Sequence, residues 1–111
     1  MLFELREYTV VPGRLPALIA RFNDHTLGLF DKHGFDVAFM SHTEFGENSL
    51  GEVVYAVRRE SYQQMQDGWS KFLADPEWQR VKADSERDGP LNGAVRRRLL
   101  NTAPFDAGRE A

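Results

Sequence analysis

The stretch from Met1 to Gly13, MLFELREYTVVPG, limits the possible folds more than any other part of the chain. Read with a period of two, Leu2, Glu4, Arg6, Tyr8 and Val10 fall on one side, and Phe3, Leu5, Glu7, Thr9 and Val11 on the other. Apolar residues occur on both sides. A strand with one wet face would alternate cleanly, so this one is expected to lie between two layers. Glu4 and Arg6 then stand out, because ionised groups on a covered face must be paired or reach water. They are either a buried strut or part of a polar pocket.

Pro12 and Gly13 end the strand, since proline lacks an amide donor and glycine tolerates turn dihedrals. Leu15, Leu18, Ile19, Phe22, Thr26, Leu29, Phe30 and His33 then share one stripe at roughly 100° per residue, which predicts an amphipathic helix capped near Gly34. His25 sits at the edge of that stripe. Phe35 to Phe45 returns to strand composition, with Phe35, Val37, Phe39 and Ser41 on one side and Asp36, Ala38, Met40, His42 and Glu44 on the other. Gly46-Glu47-Asn48-Ser49 reads as a turn leading into a third strand, Glu52 to Arg59. Ser61 and Gln64 have the spacing of a capping box for a second helix, whose stripe is Tyr62, Met65, Trp69, Phe72 and Leu73. Asp75-Pro76-Glu77-Trp78 starts a further short helix, and Leu91 to Thr102 reads as the last strand.

Strand, helix, strand, strand, helix, strand predicts an α+β fold: a ferredoxin-like βαββαβ plait on a four-stranded antiparallel sheet. Helices cover one face of such a sheet. The other face still carries Phe3 and Leu5, and the simplest cover is the same face of a second copy, so a homodimer is expected. At 111 residues the chain suits one domain, taken as residues 1–104, with 105–111 as a loose tail. A net charge of −3 argues against a general nucleic-acid binder. There is no cysteine, no apolar run of membrane-spanning length and no signal-peptide layout, so a cytoplasmic protein away from the membrane is expected.

Several segments together resemble the NIPSNAP family: Phe3-Glu4-Leu5-Arg6-Glu7-Tyr8-Thr9, the Pro12-Gly13 turn, Thr43-Glu44-Phe45-Gly46, Glu52-Val53-Val54 and Asp75-Pro76-Glu77-Trp78. The resemblance spans Met1 to Pro104. It departs at Gly51, where members often carry asparagine. It implies a dimeric α/β barrel, a fold shared by cofactor-independent monooxygenases, isomerases, haem-degrading enzymes and non-catalytic proteins, so it implies no single reaction. By analogy with those barrels, the even-numbered side of the first strand faces the helices and a pocket.

On that reading Glu4, Arg6, Tyr8 and Trp69 are candidate ligand contacts. Arg6 would meet a carboxylate, phenolate or enolate oxygen, and Tyr8 would donate a hydrogen bond or proton. His42, His25 and Tyr8 are the candidates for moving a proton in cofactor-free acid/base or monooxygenase-type chemistry. The competing reading is a non-catalytic interaction module in which Glu4 and Arg6 only brace the sheet. Trp69, Met65, Phe72 and Phe22 suit a packed core and a cavity wall equally. The three histidines lack metal-ligand spacing, and no glycine-rich phosphate loop or nucleophile elbow is present, so no metal or cofactor is expected. Arg58-Arg59 and Arg96-Arg97-Arg98 are expected to form ion pairs between subunits.

Overall fold

The computed structural model describes residues 1–106. Strands β1 (Leu2–Val10), β2 (Asp36–His42), β3 (Glu52–Arg59) and β4 (Asn92–Asn101) form one sheet in the order β2-β3-β1-β4. Every neighbouring pair is antiparallel. Between β1 and β2 runs a continuous helical segment: α1 (Leu15–Arg21), a π-helical turn (Phe22–Thr26) and α2 (Leu27–Lys32). Helices α3 (Tyr62–Ala74) and α4 (Pro76–Ser85) connect β3 to β4. This is the ferredoxin-like plait read from the sequence, with β1 and β3 central. Among the described residues no helix is long and apolar enough to cross a membrane.

The helices cover the side of the sheet that carries Glu4, Tyr8, Val10, Val53, Tyr55 and Val57, all buried. Phe30 is the hub of the core, with its ring 5.2 to 5.8 Å from those of Phe72, Phe35, Trp69 and Tyr55. The opposite face is open. It presents Phe3, Leu5 and Val54 half-buried, and Phe39 and Leu100 exposed.

The helix ends follow their local chemistry. Ser61 Oγ accepts from the Gln64 amide at 3.2 Å, while the Gln64 side chain reaches back to the amide of Glu60 rather than to that of Ser61. Asp75 Oδ1 caps α4 through the Glu77 amide at 2.9 Å, with Pro76 in the first helical position. Gly34, at φ +77°, follows the C-cap His33, a left-handed conformation that favours glycine.

Three expectations need correction. In β2 the register slips between Val37 and Phe39, so Val37 packs on the core while Phe39 faces the open side. A bulge inserts one residue and reverses the alternation beyond it. His42 is the last residue of β2, so Glu44 lies beyond the strand and does not share a strand face with it. Tyr62 and Leu73, assigned to the buried stripe of α3, are 57% and 60% exposed, and Gly68 is buried in their stead. Within the chain, Arg58 pairs with Asp36, Arg98 with Glu7 and Arg97 with Glu4. The strand register places an acid beside each of these three arginines. Of the proposed tail, residues 107–111 lie outside the described residues.

Candidate functional site

Glu4, Arg6 and Tyr8 follow one another along the helix-covered side of β1. Their cross-strand neighbours on β3 are Val57, Tyr55 and Val53, and on β4 Leu99, Arg97 and Val95. Arg6 and Arg97 therefore stand opposite each other as like charges, an arrangement that disfavours pairing unless an anion lies between them. Glu4 is that anion. Its carboxylate is fully buried, and Oε2 lies 2.7 Å from Arg6 Nη1 and 3.2 Å from Arg97 Nε. Oε1 accepts from Trp69 Nε1 at 3.0 Å and from Arg97 Nη2 at 3.2 Å. Four nitrogens surround a group with about four lone-pair sites. Glu4 thus orients its neighbours and has no acceptor site left for a ligand.

Arg6 is less fully used. Its guanidinium lies 4.3 Å from the centre of the Trp69 ring, and Nη2 makes only a long bond, 3.4 Å, to the Tyr8 hydroxyl. Its buried Nε has no hydrogen-bond partner among the described residues. Burial works against the Arg6 charge, but Tyr55, Tyr8 and the Glu4 bond outweigh it and hold the pKa above the ordinary arginine value. The Tyr8 and Tyr55 oxygens are 2.8 Å apart. Burial chiefly, and then Tyr8, push the Tyr55 phenol well above its usual range, against the opposing pull of Arg6, so Tyr55 stays protonated at neutral pH.

Arg6, Tyr8, Trp69 and Arg97 border a chamber of about 100 Å³ between sheet and helices. Its aromatic wall runs through Trp69, Phe72 and Trp78, whose successive ring centres are 5.7 and 4.9 Å apart. An arginine lies against each end: Arg6 on Trp69, and Arg21 with its guanidinium carbon 5.2 Å from the Trp78 ring. Arg21 is buried at the end of α1, tied to Glu86 at 2.9 Å and to Ser85 Oγ at 3.2 Å. The π turn that follows it, closed by the Leu27 amide on the Phe22 carbonyl, directs Phe22 and Thr26 into the same chamber.

Of the residues singled out in the sequence, Arg6, Tyr8 and Trp69 meet at this chamber. The histidines do not join them. His42 lines a separate pocket of about 180 Å³ with Met40, Asn23 and Phe22, and His25 lines an outer cleft between α1 and α4. His33 Nε2 is 2.7 Å from Asp75 Oδ2, an oxygen also bound by Lys32 at 2.8 Å. Among the described residues no group of three or more His, Asp or Glu side chains is arranged to hold a metal ion.

Arg97, Tyr55 and Arg21 escaped the reading of the chain as site residues. The first two follow from the β1 pairing register, which depends on turn geometry. Arg21 carries one faint signal. Leu18, Phe22, Thr26 and Phe30 recur every fourth residue, a spacing that drifts by about 40° per step on an ideal α-helix and that a wider π turn absorbs.

Comparison with known proteins bears on the family. The NIPSNAP family model matches residues 3–106. A protein from Agrobacterium tumefaciens superposes with a TM-score of 0.79 at 21% identity, covering 91% of this chain and 92% of its own. An uncharacterized NIPSNAP domain protein from Burkholderia xenovorans gives 0.79 at 22% identity, covering 95% and 97%. A putative antibiotic biosynthesis monooxygenase from Deinococcus radiodurans is similar in fold, with a TM-score of 0.60 at 11% identity and 91% of each chain covered. No curated protein matches the chain significantly. Since the family model spans nearly the whole chain, and the plait is that of solved NIPSNAP structures, this protein belongs to the NIPSNAP family.

Proposed function

We propose that the protein is a homodimer that binds a small organic anion in the chamber between sheet and helices, with the anion's oxygens against Arg6 and Tyr8. One observation carries this reading. The Arg6 guanidinium is largely buried, lies against Trp69 and lines the chamber, and it makes one short hydrogen bond, to Glu4. Its Nη2 makes only a long bond to the Tyr8 hydroxyl, so the guanidinium keeps donor capacity that a ligand oxygen would fill. The charge count agrees, because Arg6 and Arg97 share the single carboxylate of Glu4, which leaves room for one more negative charge.

The reading is of binding. Acid/base or monooxygenase-type chemistry would have to use Tyr8, because His42 and His25 border other cavities. The alternative, a non-catalytic module in which Glu4 and Arg6 only brace the sheet, draws support from the saturated Glu4 carboxylate. Arg6 separates the two. In ¹H–¹⁵N spectra, butanoate is expected to shift the Arg6 Nε–H and Trp69 Nε1–H signals, and Arg6→Met to abolish the Trp69 shift while circular dichroism stays native. If Arg6→Met binds butanoate as the parent does, the anchoring role of Arg6 is wrong.

Support for the dimer comes from the open face, where Phe39 and Leu100 are 45% and 39% exposed alongside Phe3, Leu5 and Val54. Sedimentation should show a two-subunit species that Leu5→Glu dissociates. A monomer at micromolar concentration would remove this part of the proposal.

A further inference from the structure

We propose a second binding site, between the edge strand β2 and the π turn, that takes a small uncharged alcohol whose body is the size of a six-membered ring. The site does not rest on the anion-binding reading: Phe22 walls both cavities, but neither Arg6 nor Tyr8 lines this one. Its starting point is the β2 bulge. The slip between Val37 and Phe39 turns Met40 and His42 toward the helices, on the side of Val53, the cross-strand neighbour of His42. Regular alternation from Val37 would have pointed Phe39 and Ser41 inward and His42 outward. Across from them the π turn supplies Phe22 and Asn23. Two backbone irregularities therefore meet at one cavity, and both kinds recur where a chain re-aims side chains for function.

At about 180 Å³ the cavity exceeds the roughly 150 Å³ apolar cavity known to admit benzene, so there is room for a six-membered ring. Ile19, Phe22, Met40 and Val53 make its walls apolar, and among the described residues no lysine, arginine or carboxylate lines it. A charged ligand would lose water there with no fixed counter-ion to replace it. The polar edge is His42 and Asn23, since Ser41 Oγ is already committed to the Val54 carbonyl at 2.7 Å. His42 Nδ1 is buried without a partner among the described residues, so no bond there fixes the tautomer, and Nε2 is the nitrogen left to meet a ligand. A hydroxyl both donates and accepts, so it satisfies Nε2 in either tautomer, and the Asn23 amide as well.

The probe is cyclohexanol, titrated into the full chain and followed by the His42 Cε1–H and Met40 methyl signals in ¹H–¹³C spectra. Both signals are expected to shift saturably. His42→Phe keeps a ring but removes both nitrogens, and is expected to weaken cyclohexanol roughly fivefold. Ile19→Trp, which fills the cavity from a half-buried wall, is expected to weaken it about tenfold or more. Cyclohexanecarboxylate is expected to bind about tenfold more weakly than the alcohol at these signals. Arg6→Met is expected to leave the cyclohexanol titration unchanged. No shift up to the solubility limit of cyclohexanol would overturn the site, and unchanged binding in Ile19→Trp would do the same by placing the alcohol elsewhere. Cyclohexanecarboxylate binding as tightly as cyclohexanol would overturn the uncharged class, and unchanged binding in His42→Phe the hydroxyl contact. Loss of cyclohexanol binding in Arg6→Met would overturn the separateness of the two cavities.

Discussion

Replacing Glu4 by glutamine tests how the buried charges are held together. The side chain keeps its shape and one acceptor for Trp69 Nε1, but loses its charge and turns an NH₂ group toward the arginines. At 2.7 Å the attraction between Glu4 and Arg6 is about 6 kcal/mol at an effective dielectric of about 20, part of which offsets the desolvation of both ions. Arg97, whose side chain is 58% exposed, can rehydrate and adds at most about 1 kcal/mol. Arg6, 13% exposed, cannot, so its stranded charge sets the loss at about 3 to 4 kcal/mol. That is a large share of the roughly 5 to 15 kcal/mol that stabilises a domain of this kind. Urea unfolding at one fixed protein concentration measures it, since association would make the midpoint concentration-dependent. The double variant Glu4→Gln/Arg6→Met should lose less than the sum of the single losses, by about 2 kcal/mol, because it leaves no unpaired buried charge. A Glu4→Gln loss below about 0.5 kcal/mol, or strict additivity, would refute this account.

Two further perturbations probe the scaffold around the site. Lys32, His33 and the Glu77 amide hold the Asp75 carboxyl well below its usual range. The unfolded state, with an aspartate pKa of about 3.9, therefore takes up the proton first, so this stabilisation is complete above that value and is lost as pH falls below it. Urea midpoints between pH 6 and 2.5 should converge for the parent and Asp75→Asn toward acid, and parallel curves would contradict the assignment. Gly68→Ala places a Cβ 2.9 Å from Phe35 Cζ, on a ring packed 4.4 Å from that of Trp69. Overpacking of about 1 to 3 kcal/mol should exceed the helix-propensity gain of about 1 kcal/mol, and a higher thermal midpoint would show that Phe35 yields freely.

The order of elements and the caps at Ser61 and Asp75 were legible in the residues, because each depends on local periodicity or on a side chain reaching its own backbone. The same locality explains why Arg6, Tyr8 and Trp69 were recognisable as candidates: an ion pair on a covered strand is conspicuous wherever its partners lie. The β2 bulge and the π turn were not legible. Each inserts or widens by a single residue to satisfy packing against another element, and nothing in the local pattern requires it.

By itself, then, the sequence determined the plait, the face of β1 that would carry charge, and membership of a family. Only the tertiary structure decided which charges meet. Strand register brought Arg97 to Glu4, the π turn brought Arg21 and Phe22 to the chamber, and the same geometry left His25 and His42 outside it. The physical reason is range. Backbone preferences act over a few residues, whereas a carboxylate shared by two arginines depends on the register of strands about ninety positions apart, which is settled only when the sheet closes.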